Sequence, residues 1–184
     1  PTLPNGQANG VARQLQTVAR IIGGRAALGA RRQVFFVSMG GFDTHSNQPA
    51  THASLMAQLS QAIAYFNQLM ANPQVNAAKE ATLFTASDFG RTLTSNGDGT
   101  DHGWGAHHFV TGGAVRGGDI YGPFPSTAAD NDDYVGSGRL LPSLSVDQYG
   151  ATMARWFGVS ESELDTIFPS LANFASRDLG FMGA

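Results

Sequence analysis

Two short apolar runs separated by one long amphipathic stretch constrain the fold of this chain more than any other feature. Residues 33–38 and 81–86 are rich in β-forming side chains, which is typical of strands buried on both faces. A helix is predicted over about 49–70, where apolar side chains recur at helical spacing: Leu55, Leu59, Ile63, Phe66 and Met70. Strand, helix and strand in this order predict a right-handed βαβ unit with parallel strands.

Helices are predicted at both ends of the chain. Residues 9–28 have helical periodicity, which the glycines at 23–24 interrupt late. Near the other end, capping-box pairs predict the starts of two helices: Ser145 with Gln148, and Ser160 with Glu163.

The rest of the chain has weaker signals. Residues 87–108 are rich in glycine, asparagine, aspartate and serine, and we expect an irregular loop there. Short strands are expected at 109–115 and 119–121, followed by an irregular segment over 123–144. The pattern predicts one α/β domain over residues 1–184, or part of one.

Composition excludes several functional classes. The 184 residues have a net charge of −3 and a single lysine, which argues against electrostatic binding of nucleic acid. No apolar run approaches the roughly 18 residues that span a bilayer. With no cysteine, neither a disulfide nor a thiolate metal site can form. The chain begins at Pro1 without a signal peptide, and we expect a processed product or a fragment.

All five histidines lie in two short windows that also contain aspartates. The candidate metal ligands are Asp43, His45, His52, Asp88, Asp101 and His102. Both windows follow a predicted parallel strand, so they leave from the same edge of the sheet, where open α/β sheets bind ligands. Imidazole and carboxylate without thiolate suit zinc, manganese or iron.

Each candidate also has a plainer interpretation. His52 lies near the predicted core face of its helix and is equally well explained as a packed core residue. Residues 96–101 resemble a calcium loop, but the bidentate glutamate that should follow is missing. Arg91 is either a structural ion-pair partner or a clamp for an anionic oxygen. The aspartates could instead only organise the glycine-rich loops through bonds from backbone N–H groups.

Four motifs in order carry a resemblance to a known family. Residues 34–48 read VFFVSMGGFDTHSNQ, 84–92 read FTASDFGRT, 99–104 read GTDHGW, and 112–118 read GGAVRGG. These motifs resemble the bacterial domain-of-unknown-function 1501 family over most of the chain. Members of that family are typically exported, often behind a twin-arginine signal, and are distantly similar to the alkaline phosphatase and sulfatase superfamily.

The resemblance implies a fold and a site. The expected fold is part of an alkaline-phosphatase-like α/β/α sandwich with a mostly parallel sheet and metals at its carboxyl edge. Asp43, Asp88 and His102 match superfamily ligand positions and are expected to converge, whereas Phe89 replaces a ligand histidine. The superfamily nucleophile would lie before Pro1, so the chain resembles the C-terminal part of a larger domain.

The expected function is a metal-dependent hydrolase of phosphate or sulfate esters, exported to the periplasm or secreted. The cofactor is a divalent metal, zinc or manganese in preference to calcium, and Arg91, His107 and His108 are candidate catalytic residues. The alternative is a non-catalytic exported binding or structural module with a metal- or calcium-organised loop. We also expect an exposed sheet edge or apolar patch, filled by a missing N-terminal half or by another copy of the chain.

Overall fold

The computed structural model describes residues 1–3, 5–128 and 130–183. The chain divides into two compact units. The first unit comprises Pro1–Phe84, Ser95–Asp101 and Thr111–Gly113. The second unit comprises Thr85–Thr94, His102–Val110 and Ala114–Ala184.

The first unit contains three helices: α1 (Gly10–Gly23), α2 (Arg25–Leu28) and α3 (Gln48–Ala71). The predicted helix over 9–28 is confirmed, with its break at Gly24. The helix predicted over 49–70 is confirmed as α3, which carries a proline in its first turn. None of the helices among the described residues has the length and apolarity needed to cross a membrane.

The core of the first unit lies between α1 and α3. Its buried side chains are Val11, Ala12, Leu15, Val18, Ala19, Ala62, Phe66, Met70 and Ala77. The fully buried Asn9 joins the two helices, because its Oδ1 accepts the N–H of Ala12 while its Nδ2 donates to the carbonyl of Gln58. This side chain caps α1 and also ties it to α3.

Residues 33–38 do not form the predicted buried strand. Burial alternates along this segment: Phe35, Val37 and Met39 pack against the core, whereas Val34 and Phe36 are 82% and 93% exposed. A period of two is the pattern of an extended chain with one covered face. The prediction of burial on both faces is therefore wrong. The expected exposed apolar patch is confirmed here.

The strands form two small sheets. β1 (Leu83–Phe84) pairs with β4 (Val110–Thr111), and β2 (Gly90–Ser95) pairs with β3 (Thr100–Gly103). Both are antiparallel two-stranded sheets, and the chain is 36% helix and 11% strand. The predicted α/β/α sandwich with a mostly parallel sheet is therefore wrong, because the two apolar runs do not pair into a common sheet.

The segment over 87–108 is not an irregular loop, because β2 and β3 lie within it as a hairpin. Asn96 and Gly97 occupy its turn, where the N–H of Asn96 donates to the carbonyl of Gly99 at 3.0 Å. An Asn-Gly pair between β-forming residues is a hairpin signal. The high glycine content of 87–108 favoured the prediction of a loop over this hairpin signal.

The second unit ends in α4 (Val146–Phe157), α5 (Glu161–Ile167) and a 3₁₀ helix (Pro169–Asn173). Both predicted capping boxes are present, at Ser145 and Ser160, and they confirm the two predicted helices. The core here is small and consists of Ala151, Leu164 and Leu171 with Ala154, Val159 and Phe168 around them. No strand is present at 119–121.

Candidate metal centre

In the first unit, the imidazole of His45 lies between two carboxylates. Its Nε2 is 2.9 Å from Oδ1 of Asp43, and its Nδ1 is 3.3 Å from Oδ1 of Asp101. The side chains of all three residues are roughly half exposed, at 48–61%. A neutral imidazole has one N–H, so it donates to only one of the two carboxylates at a time. The other nitrogen then offers a lone pair to a proton or a metal.

Close backbone packing brings these side chains together. Asp43 and His45 follow the extended segment and flank the buried Thr44, whose carbonyl accepts the N–H of Thr100 at 3.5 Å. At Gly99, a Cβ atom would lie 2.4 Å from the Thr44 oxygen and 2.5 Å from the His45 carbonyl carbon. Only glycine fits at this approach. Asp101 therefore reaches His45 because the chain passes Thr44 without a side chain in the way.

Asn96 forms hydrogen bonds with both His45 and Asp101. The sequence did not predict this role. The Asn96 Nδ2 donates to the His45 carbonyl at 3.0 Å and to Oδ1 of Asp101 at 3.3 Å. Its Oδ1 accepts the N–H of Gly99 at 2.9 Å, which closes the hairpin turn. The Asn-Gly dipeptide was the available signal, but it indicated a turn and not a contact with His45.

In the loop that resembles a calcium site, the oxygens of Asp98 accept hydrogen bonds from backbone N–H groups. Oδ2 of Asp98 accepts the N–H of Asn47 at 2.8 Å, and the Asp98 carbonyl accepts the N–H of Gln48 at 3.1 Å. Both donors lie at the start of α3, where helix N–H groups lack internal partners. For Asp98, this favours the alternative in which the aspartate organises the loop.

Asp43 and His45 fit a divalent metal as a pair. Each offers a ligand atom, and two atoms bound to one ion at about 2.1 Å lie no more than about 4.2 Å apart. The observed separation of 2.9 Å is within that limit. Asp101 lies on the other ring nitrogen, as carboxylates that orient metal-binding histidines do. The prediction that Asp101 itself binds the ion stays a prediction.

The remaining predicted ligands are His52, Asp88 and His102. His52 is exposed on α3, with its ring centroid 6.4 Å from that of Phe42, so the interpretation as a packed core residue is wrong. Asp88 is exposed in the second unit, just before β2. His102 also belongs to the second unit, where its ring stacks on that of Phe89 with centroids 4.1 Å apart. The expected convergence of Asp88 and His102 with Asp43 stays a prediction.

The three candidate catalytic residues all lie in the second unit. The Arg91 guanidinium is 5.8 Å from the ring centroid of Phe89. His107 stacks on Phe124 with centroids 4.9 Å apart. His108 stacks on Tyr149 at 5.9 Å. The two adjacent histidines therefore have different aromatic partners, as expected if their side chains point apart.

His108 lies in an environment that favours its neutral form. Its Nδ1 lies 3.3 Å from the Thr85 hydroxyl oxygen, which also accepts the N–H of Phe109 at 2.9 Å. The hydroxyl hydrogen is therefore available to Nδ1. Desolvation of the ring lowers the pKa of His108, and the neighbouring charge of His107 lowers it further. Both effects favour the neutral imidazole, whose lone pair on Nδ1 can accept a hydrogen bond from the Thr85 hydroxyl.

The Tyr149 hydroxyl lies beside His108 and contacts both the Thr85 and the Phe109 segments of the chain. It donates to the Thr85 carbonyl at 3.2 Å and lies 3.4 Å from the Phe109 carbonyl. Burial raises the pKa of the Tyr149 phenol well above its usual range, so it remains a donor. The sequence predicted no role for Tyr149 or Thr85, because their proximity to His108 depends on tertiary packing.

Comparison with known proteins identifies a family. A family model described as a protein of unknown function, DUF1501, matches residues 4–158. No curated protein and no solved structure matches the chain. The match covers most of the sequence and includes Asp43, His45, Asp101 and the hairpin between β2 and β3. The chain belongs to the DUF1501 family.

Proposed function

We propose that the chain binds a divalent metal through Asp43 and His45 and is a metal-dependent hydrolase of phosphate or sulfate esters. One observation carries the proposal: the His45 ring lies between Asp43 and Asp101 at 2.9 and 3.3 Å. An imidazole with a carboxylate on each nitrogen is the arrangement found where one carboxylate shares a metal and the other orients the ring. His102 is the further ligand predicted from the sequence.

The donor set supports zinc or manganese over calcium. Calcium takes six to eight oxygen ligands, whereas imidazole nitrogen suits transition metals and zinc. The oxygens of Asp98 already accept backbone N–H groups at the start of α3. A metal of this class supplies Lewis-acid activation of an ester oxygen.

The surrounding residues have definite tasks in this proposal. Asp101 accepts the N–H on Nδ1 of His45 and so leaves Nε2 as the ligand atom. Asn96 donates to Asp101 and holds that carboxylate against the ring. Arg91, His107 and His108, in the second unit, remain the residues that the sequence predicts for binding an anionic oxygen and for acid–base catalysis. Export to the periplasm or to the medium belongs to the same proposal.

A second candidate is a non-catalytic module in which the metal organises the loop. The exposure of Asp43, His45 and Asp101 favours this alternative, because half-exposed ligands do not exclude water as catalytic sites commonly do. Asn96 of the hairpin donates to the His45 carbonyl and Asp98 accepts the N–H of Asn47, so the cluster also holds the chain segments together.

Metal binding is tested by titrating the purified chain with Zn²⁺ and Mn²⁺ by calorimetry. We expect His45→Ala to weaken binding at least 100-fold, and Asp101→Asn to weaken it about 10- to 100-fold. His52→Ala is the matched control, because His52 is an exposed histidine of the same unit. Equal binding by the His45 and His52 variants would refute the metal site.

Hydrolysis is tested separately with aryl phosphate and aryl sulfate esters in the presence of the bound metal. Turnover that is lost in His45→Ala, and is reduced in His108→Gln with a changed pH profile, supports the hydrolase. Metal binding without turnover against either ester class selects the non-catalytic module instead.

A further inference from the structure

The outer surface of the extended segment is unusually apolar and open. Phe36 and Val34 are 93% and 82% exposed, the two highest values among the large exposed hydrophobic side chains of the described residues. They are two positions apart and so lie on the same side of an extended chain. The opposite side, with Phe35 and Val37, is already packed on the core of the first unit. A binding partner would therefore contact the outer side of segment 33–38 or its backbone edges.

The backbone of this segment lacks strand partners. Within 33–38, only the backbone groups of Ser38 are hydrogen-bonded in the described chain. The Ser38 N–H donates to Oε1 of Gln14 at 3.3 Å, and the Ser38 carbonyl accepts a hydrogen bond from Nε2 of Gln14 at 2.9 Å. The side-chain amide of Gln14 thus acts as a neighbouring strand would, for one residue. For 33–37, no backbone hydrogen bond is made within the described parts of the chain. Unpaired groups of this kind are a template for adding a strand.

Strand geometry indicates which edge is open. The N–H and C=O of one residue point to the same edge, and those of the next residue point to the other edge. Ser38 faces Gln14 on α1, so Val34 and Phe36 direct their backbone groups to the same edge as Ser38. Gln33, Phe35 and Val37 direct theirs to the opposite edge, which Gln14 does not block.

The charge beside the segment identifies its partner. Arg31 and Arg32 immediately precede it and line a shallow surface pocket. Neither arginine pairs with a carboxylate among the described residues. A parallel second copy would place these arginines beside themselves. An antiparallel second copy would place them near Ser38 to Gly40, which carry no negative charge. Self-pairing therefore leaves both cations without a counter-charge.

We propose that the edge formed by Gln33, Phe35 and Val37 binds an apolar polypeptide segment as an added β-strand, with carboxylates at the end that meets Arg31 and Arg32. The backbone pairing provides the binding geometry, and an apolar side chain of the partner covers Phe36. The two arginines fix the direction of the added strand. This inference is independent of the proposed metal site.

The test uses a fluorescent synthetic peptide of alternating valine and threonine that ends in two glutamates. Its binding to the purified chain is measured by fluorescence anisotropy. We expect Phe36→Thr to weaken binding about tenfold, because the residue loses its large apolar contact. The substitution leaves the core intact, since the side chain is 93% exposed. Val146→Thr, at another exposed aliphatic residue, is the matched control and should bind as the unsubstituted chain does.

Two further comparisons test the mode of binding. A peptide with alternate backbone nitrogens methylated cannot pair as a strand and should not bind. Reversing the charge with Arg31→Glu and Arg32→Glu together should favour a lysine-ended peptide over the glutamate-ended one.

Three results would overturn the proposal. They are equal binding of the methylated peptide, no binding of the glutamate-ended peptide at millimolar concentration, and sedimentation as a dimer that Phe36→Thr dissociates. The last result would assign the edge to a second copy of the chain.

Discussion

Gly99 is the residue at which the structure predicts a large effect from the smallest substitution. In Gly99→Ala, the new Cβ would lie 2.4–2.6 Å from three backbone atoms of Thr44 and His45. Ordinary contact begins at 3.4 Å, so the two segments must separate by about 1 Å. Backbone atoms cannot turn away as a side chain can. Overpacking of this kind costs roughly 3 kcal/mol in the free energy of unfolding.

This cost corresponds to a fall in melting temperature of roughly 6–12 °C for a chain of this length, measurable by calorimetry. Separating the segments also moves Asp101 away from His45, so we expect weaker binding of Zn²⁺ in the same preparation. The control is Gly40→Ala, where the added Cβ meets nothing within 4 Å and φ is not positive. That variant should melt within about 2 °C of the unsubstituted chain, because surface changes alter stability by at most about 0.5 kcal/mol. Indistinguishable melting of the two variants would refute the packing argument, whatever the metal result.

Two other predictions concern helix starts. Asn9→Ala removes the cap of α1 and the additional hydrogen bond to the Gln58 carbonyl of α3, so we expect a loss of about 1–2 kcal/mol by urea denaturation. Asn5→Ala, at an exposed asparagine, should cost little, and equal losses would contradict the assignment. Hydrogen bonds from the Ser160 hydroxyl, and then from its backbone N–H, lower the pKa of Glu163. The stabilisation is therefore present above the ordinary pKa of 4.5 and is lost as the pH falls below it. The melting temperatures of Glu163→Gln and the unsubstituted chain should converge in acid, and a constant difference from pH 7 to pH 3 would exclude this explanation.

Helix positions were predictable from the sequence because their signals are local. The apolar spacing from Leu55 to Met70 predicts α3, and the serine caps at 145 and 160 predict α4 and α5. A cap or a helical stripe depends on residues three or four positions apart, so tertiary context has little opportunity to change it.

Candidate ligands were predictable for a related reason. Asp43 and His45 lie two residues apart, and their proximity follows from chain connectivity. The third member, Asp101, was predictable only from the clustering of histidines and aspartates in its part of the sequence. Its contact with His45 requires the close approach at Gly99 and the bond from Asn96, which link residues about 50 positions apart. Hydrophobic periodicity carries no information about such contacts.

The sheet was the part that the sequence could not determine. A run such as 33–38 indicates an extended apolar segment, and the segment is extended with Phe35 and Val37 on the core. Pairing, however, depends on whether another segment supplies hydrogen-bond partners at its edge, and that is a property of tertiary structure. In the described chain only Gln14 does so, at Ser38, and Phe36 remains exposed. The sequence by itself determined the helices, the apolar segments and the pair of Asp43 with His45. Tertiary structure alone decided which strands pair and which carboxylate holds the His45 ring, because both depend on contacts between segments far apart in the chain.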